Sequence, residues 1–276
     1  KETPTDIIFG KASNTIAKGN PVYVETDGDF AKPQGVQGSL AWSLGSLSTP
    51  QASVTVRNVN IDYNTAQNKF VAFYEDESDS SYLYGTVLTN DGTTLTASSK
   101  SSAGTNFHVR MLKSIYIGDS KHLIFMRDDS NNYGKAVVAT VSGTSISYGT
   151  PLVFHSSYMQ FRGSAYYDTD KGVAVFVGAE NSSYLYMKVW TFTIAGTSIT
   201  QNSSSPFNSS LSNTDYFSAS YDTDQKIGVI AYRNTSDDGY VRTITLTAEG
   251  NATFNTAVNY NSTTNVVHSP HGMSYD

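Results

Sequence analysis

Four short stretches of the chain are almost continuously apolar: FVAFY (70–74), HLIFM (122–126), VAVFV (173–177) and IGVIAY (227–232). Runs this short and unbroken predict strands buried on both faces of a sheet, not the one-sided alternation of a solvated strand. Each follows a short segment ending near Tyr-Asp and a polar turn such as NTAQNK or DTDK. Each leads into a second polar turn: EDESDSS, RDDSNN, GAENSS or RNTSDDG. A third segment of alternating character comes next, as in YLYGTVLT, GKAVVATV, YLYMKVWTFTI and YVRTITLT. After turns of Gly or Asn-Asp type (NDG, SGTS, AGTS, AEGN) comes a weaker, Ser/Thr-rich fourth segment, as in TSISYGTPLVF and NATFNTAVNY. The pattern predicts a unit of four antiparallel strands.

The unit repeats. SASYDTDQKIGVIAYRN (218–234) nearly copies SAYYDTDKGVAVFVGAEN (164–181). Aligning on the Tyr-Asp phrase gives Tyr63, Ile117, Tyr167, Tyr221 and Tyr275, at intervals of 54, 50, 54 and 54 residues. A fixed period of this size with four strands per period is the mark of β-propeller blades. The expected fold is therefore all-β, a propeller of blades of about 50 residues, either a five-bladed ring or part of a larger propeller. Units begin near residues 58, 112, 163, 217 and 271, within a repeat region spanning 36–276. Residues 1–35 read as an N-terminal β-hairpin module or as strands that close the ring. Stacked small sandwiches are the competing reading, and a four-stranded unit of this size is too small to bury two faces alone.

Composition narrows the partners. A formal charge of −6 and a pI near 5.3 are the wrong sign for neutralising phosphates, which argues against nucleic-acid binding. No apolar run is long enough to span a bilayer, so no membrane insertion is expected. Cysteine is absent, which removes disulfides and thiolate metal sites. The 19 Tyr and 21 Gly, with many Ser, Thr and Asn, suit pleated strands joined by tight turns.

Candidate chemistry belongs at equivalent loop positions, because propellers bind ligands at loops on one face or at the channel. At the end of the second strand stand Glu75, Arg127, Gly178 and Arg233. These are not a ring of identical ligands, but the two arginines could clasp a carboxylate or a sugar. Tyr82, Tyr84, Tyr184 and Tyr186 alternate on third strands, where an exposed face could stack on sugar rings and a buried one would pack between blades. The recurring Tyr63, Tyr167, Tyr221 and Tyr275 read as inter-blade packing. The candidate binding residues are therefore Glu75, Arg127, Arg233, Tyr84 and Tyr186, with no catalytic residue, metal ligand or cofactor.

Other motifs are weaker. Asp168 with Asp170, Asp222 with Asp224, and Asp27 with Asp29 open like calcium loops but lack the remaining ligands, and such acids also bond to their own turns. The Glu75–Asp79 cluster contains carboxylates for glycoside hydrolysis, which needs two at a fixed separation, without an obvious partner. His268 and His271 form an isolated His-x-x-His. Asn-x-Ser/Thr sequons begin at Asn181, Asn202, Asn208, Asn234, Asn251 and Asn261, as expected often by chance in such a composition.

The phrase YGKAVVATVSGTSISYGTPLVFHSSYMQFRGSAYYDTDKGVAVFV (133–177) resembles propeller-type repeats in structural proteins of tailed bacteriophages, particularly marine ones. GKASNTIAKGNPVYVETDGDFAKP (10–33) is similar to the hairpin module that precedes those repeats. The resemblance implies a non-enzymatic virion component, a tail, fibre or capsid appendage. Its expected partners are other virion proteins, further copies of itself, and a host-surface glycan or receptor. The alternatives are a carbohydrate-active enzyme on a five-bladed ring and a secreted bacterial sugar-binding lectin.

Overall fold

The computed structural model describes residues 55–91, 94–104, 108–180, 186–207, 217–233 and 238–261, together with one strand pair near the N-terminus. The chain divides into two compact units, Lys1–Gly45 and Ser46–Asp276. In the first, β1 (Tyr23–Val24) pairs antiparallel with β2 (Phe30–Ala31).

Among the described residues the second unit holds four antiparallel sheets, one for each apolar run. Sheet I runs β3 (Val56–Asn64), β4 (Lys69–Asp76), β5 (Tyr82–Asn90), β6 (Leu95–Ala97), with β7 (Ser101–Ser102) also on β5. Sheet II runs β8 (Val109–Gly118), β9 (Lys121–Asp128), β10 (Gly134–Ser142), β11 (Ser145–Tyr148), with β12 (Leu152–His155) also on β10. Sheet III is β13 (Met159–Asp168), β14 (Val173–Glu180), β15 (Tyr186–Ala195) and β16 (Ser198–Pro206). Sheet IV is β17 (Phe217–Asp222), β18 (Ile227–Arg233), β19 (Gly239–Leu246) and β20 (Ala252–Phe254), with β21 (Val258–Asn261) also on β19. The inner strands β3, β8, β13 and β17 pack in succession. The sheets are propeller blades.

The predicted strands form where expected, with two differences. The third strand, expected to alternate, is buried on both faces in its middle, as in Ala136–Ala139 of β10. The fourth strand is split in sheets I, II and IV, so its two halves both lie on the third. The turn from first to second strand takes a left-handed residue at one recurring position: Asn68 (φ 52°), Ser120 (φ 60°), Gly172 (φ 68°) and Lys226 (φ 56°). Gly adopts this freely, whereas a β-carbon there costs about 1 kcal/mol.

Three cores join the blades in order. Val71, Phe73, Leu83 and Val87 of sheet I meet Leu112, Ile124, Met126 and Val137 of sheet II. Leu123, Phe125 and Phe154 of sheet II meet Phe176, Trp190 and Phe192 of sheet III. Val175, Val177 and Val189 of sheet III meet Ala219, Ile230 and Tyr232 of sheet IV. Each blade thus has a leading face toward the preceding sheet and a trailing face toward the next. Among the described residues no core joins sheet IV to sheet I. The expected ring closure, the unit near 271, the rest of the 1–35 module, Asp27, Asp29, Tyr184, His268, His271 and Tyr275 lie outside the described residues.

Strand pairing corrects one register. Tyr63 lies opposite Phe70 and Tyr167 opposite Ala174, and the pair that corresponds in sheet II is Tyr116 with His122. The repeating tyrosine of that blade is therefore Tyr116, not a degenerate Ile117. A bulge between Tyr116 and Gly118 adds the residue that misaligned it. Tyr116 and Tyr221 do pack against the preceding sheet. Ala66 donates its backbone N–H to the Tyr116 hydroxyl at 3.3 Å, and Tyr221 stacks on Tyr166 with ring centres 5.8 Å apart.

Candidate binding rim

Glu75, Arg127, Arg233, Tyr84 and Tyr186 all fall where the second strand ends and the third begins. The fold thus brings them to the same end of their blades. The register separates them further. Asp76, Asp128 and Glu180 lie opposite Val56, Val109 and Met159, near the start of each inner strand. They are spaced by 52 residues in both steps. In sheet III the equivalent of the acid is Glu180, which follows Ala174 as Asp76 follows Phe70 and Asp128 follows His122. In sheet IV the position counted in the same way from Gly228 is Asn234, which lies outside the described residues.

Each of these acids is held by a lysine. Lys100 Nζ lies 2.6 Å from Asp76, Lys135 Nζ 2.5 Å from Asp128, and Lys188 Nζ 3.2 Å from Glu180. Asp76 and Asp128 also accept the backbone N–H of Ser78 and Ser130, at 3.0 Å each, which shapes the turn that follows. Burial works to raise the Asp128 pKa, but the bonds from Lys135 and Ser130 outweigh it and hold the carboxyl below its ordinary value. Asp129 is held low in the same way, against its burial, by Arg110 and Arg127. Neither group is a proton donor near neutrality.

Glu75 is buried (1% exposed) and accepts from the Asn58 amide at 2.5 Å. Asn58 can reach it because the inner strand bulges there and Asn58 adopts φ 49°. Arg127 is also buried, and its guanidinium donates to Asp129 at 3.0 Å and to the Met159 carbonyl at 3.3 Å, while lying over the Tyr158 ring. It braces sheet II against the start of sheet III. Tyr84 is buried beneath Lys100, 4.3 Å from its ring centre, and its hydroxyl donates to Asp79. Arg233 ends β18, half-buried, and Tyr186 opens β15.

The carboxylates of the 75–79 cluster are accounted for in this way. Glu75 holds Asn58, Asp76 holds Lys100, Glu77 pairs with Arg57 at 2.9 Å, and Asp79 takes the Tyr84 hydroxyl. His155 joins the rim too: its Nε2 lies 3.6 Å from Glu180, beside the Trp190 ring. Burial lowers its pKa more than Glu180 raises it. The pairing of these acids with lysines is not legible in the sequence, because the partners come from different places: Lys100 beside the fourth strand, Lys135 and Lys188 on the third. The constant spacing of Asp76, Asp128 and Glu180 was the available signal.

At the opposite end the Asp-x-Asp turns bond to their own backbone. Asp168 Oδ1 accepts from Asp170 and Lys171, and Asp222 Oδ1 from Asp224 and Gln225, all within 3.0 Å. Among the described residues no group of three or more His, Asp or Glu is placed to hold a metal ion.

No family model matches the chain, and no curated protein matches its sequence. Solved structures do resemble it. A protein from Lactobacillus plantarum superposes with a TM-score of 0.50 at 11% identity, covering 91% of this chain and 65% of that one. A putative 6-phosphogluconolactonase from Bacteroides uniformis gives 0.48 at 12% identity, covering 87% and 64%. An exo-β-1,3-galactanase from Phanerochaete chrysosporium gives 0.47 at 12% identity, covering 77% and 52%. The chain spans between half and two thirds of the length of these proteins. At this identity the likeness concerns the fold alone.

Proposed function

We propose that this propeller is a non-enzymatic recognition module of sugar-binding type. The observation that carries the reading is the state of the rim, where the acids named above are neutralised by lysine, arginine, amide or backbone partners. Glycoside hydrolysis needs one carboxyl kept protonated and a second kept free at a set distance. The low pKa of Asp128 and Asp129 runs the other way. The chain is rich in Tyr and Asn, and those that reach the surface, such as Tyr63 and Tyr260, suit neutral polyols, which aromatic rings meet by stacking and amides by hydrogen bonds.

The test is incubation of the full chain with a panel of neutral oligosaccharides, following both binding and release of reducing ends. Binding without turnover is expected, with Glu75→Gln leaving the binding constant within about twofold. Release of reducing ends that Glu75→Gln abolishes would overturn the reading in favour of a hydrolase.

A second reading concerns where such a module works. The likeness of residues 133–177 to phage structural repeats supports a place on a virion appendage, among further copies of the chain and other virion proteins. Mass spectrometry of purified particles tests it, and absence of the chain from every particle preparation of its source would remove it.

A further inference from the structure

The leading face of sheet I differs from those of the other three blades. Where another described sheet is packed ahead, the residue opposite the repeating tyrosine is small or hydrogen-bonded. In sheet II it is His122, wholly buried between Asp62 (Nδ1, 3.0 Å) and Asn64 (Nε2, 3.1 Å) of sheet I. In sheet III it is Ala174, and in sheet IV Gly228, where an added β-carbon would sit 2.0 Å from the Tyr166 hydroxyl of sheet III. Sheet I instead carries Phe70 opposite Tyr63, and both rings remain about 40% exposed. Their centres are 5.0 Å apart with planes tilted by 53°.

This ring pair lines an open pocket of about 330 Å³ together with Asn68 and Asn90. The Tyr63 hydroxyl donates to Asn68 Oδ1, which anchors the amide at the pocket edge. The described lining is two aromatic rings and two carboxamides, with no formal charge. Small-molecule sites range over roughly 300–1,000 Å³, so this volume suits a single ring or the end of a chain. Aromatic faces bind the C–H face of a pyranose, and carboxamides both donate to and accept from its hydroxyls.

We propose that Tyr63, Phe70, Asn68 and Asn90 form a binding site for one neutral pyranose ring. The ligand class rests on the recognition reading above, whereas the site's location rests on the blade comparison. A galactoside is the better probe, because its axial 4-hydroxyl leaves a continuous C–H face for Tyr63 or Phe70. The neutral lining also selects against phosphorylated or sialylated sugars, whose charge would be desolvated without a partner.

The experiment is saturation-transfer difference NMR on the full chain with methyl β-D-galactopyranoside, and with methyl β-D-glucopyranoside for comparison. Transfer is expected to the ring C–H protons of the galactoside. Tyr63→Ala and Phe70→Ala should each weaken binding about tenfold. Both positions are part-exposed, and unchanged melting curves would confirm that the variants fold. Transfer that persists unchanged in both alanine variants would overturn the site and leave the recognition reading standing. No transfer from either sugar would overturn the site, and an oligosaccharide panel equally silent would overturn both. Self-association of the wild type that Tyr63→Ala abolishes, without sugar transfer, would assign the face to a second copy and overturn the proposal.

Discussion

The contacts between sheets I and II and between sheets II and III are made by the same repeat on the same backbone, yet they are built from different materials. The II–III contact has an aromatic core. Phe125 stacks on Phe176 at 4.7 Å, and Phe154 meets Phe125, Phe176, Trp190 and Phe192 mostly edge to face. The I–II contact adds a polar spine to its aliphatic core. His122 joins Asp62 and Asn64, Ser114 donates its N–H to Asn60 at 2.5 Å, and the Gln67 amide donates to Ser120 at 3.0 Å. Apolar burial supplies energy without direction, whereas buried hydrogen bonds add little net energy but are costly to break. The II–III contact is therefore expected to be the stronger, and the I–II contact the more exacting about alignment.

Three measurements would break or sharpen that contrast. Phe176→Ala should have the largest effect, about 3–5 kcal/mol in urea unfolding, because it empties the centre of the aromatic cluster. A loss below about 1 kcal/mol would show that the cluster can collapse and that its density is not the source of strength. His122→Leu should cost about 2 kcal/mol, since it keeps the volume but leaves Asp62 and Asn64 without their partner. A neutral or stabilising result would make the polar spine dispensable for stability.

The smallest effect concerns pH at the II–III rim. Burial depresses the His155 pKa below 6.5 in the folded chain, so the unfolded chain binds the proton more readily. The stability this contributes is fully present above pH 6.5 and is lost as pH falls through the lower folded value. Comparing urea midpoints at pH 7.5 and 5.5, the wild type should lose more than His155→Gln. Equal losses would remove His155 as the cause.

The strands, their order within each unit and the turns were legible in the sequence, because each rests on local chemistry. Continuous apolar runs marked the second strands, and the Asp-x-Asp turns bond as their residue types suggest. Legibility failed where a bulge intervened in sheet II, since one extra residue after Tyr116 hid its repeating tyrosine. In sheet III the place read as Gly178 is held by Ala179, which follows Ala174 as Glu75 follows Phe70 and Arg127 follows His122. Bulges arise from how one strand fits another, which an alignment of single strands does not contain. The candidate residues suffered from the same gap. Arg127 and Tyr84 have the chemistry of ligand binders, but only the packed structure shows Asp129, Met159 and Lys100 already occupying them. Phe70 drew no notice, because its meaning lies in the contrast with Ala174 and Gly228 across blades.

The unlike contacts also write an order into the array. A chain with the same four units joined in another sequence would keep every strand, turn and period. Tyr166, however, needs the space that only Gly228 leaves, and His122 needs the acid and amide that only Asp62 and Asn64 present. The repeats are therefore not interchangeable tiles. Each carries an address for its neighbour, so a shuffled chain would be expected to pair wrongly or not at all.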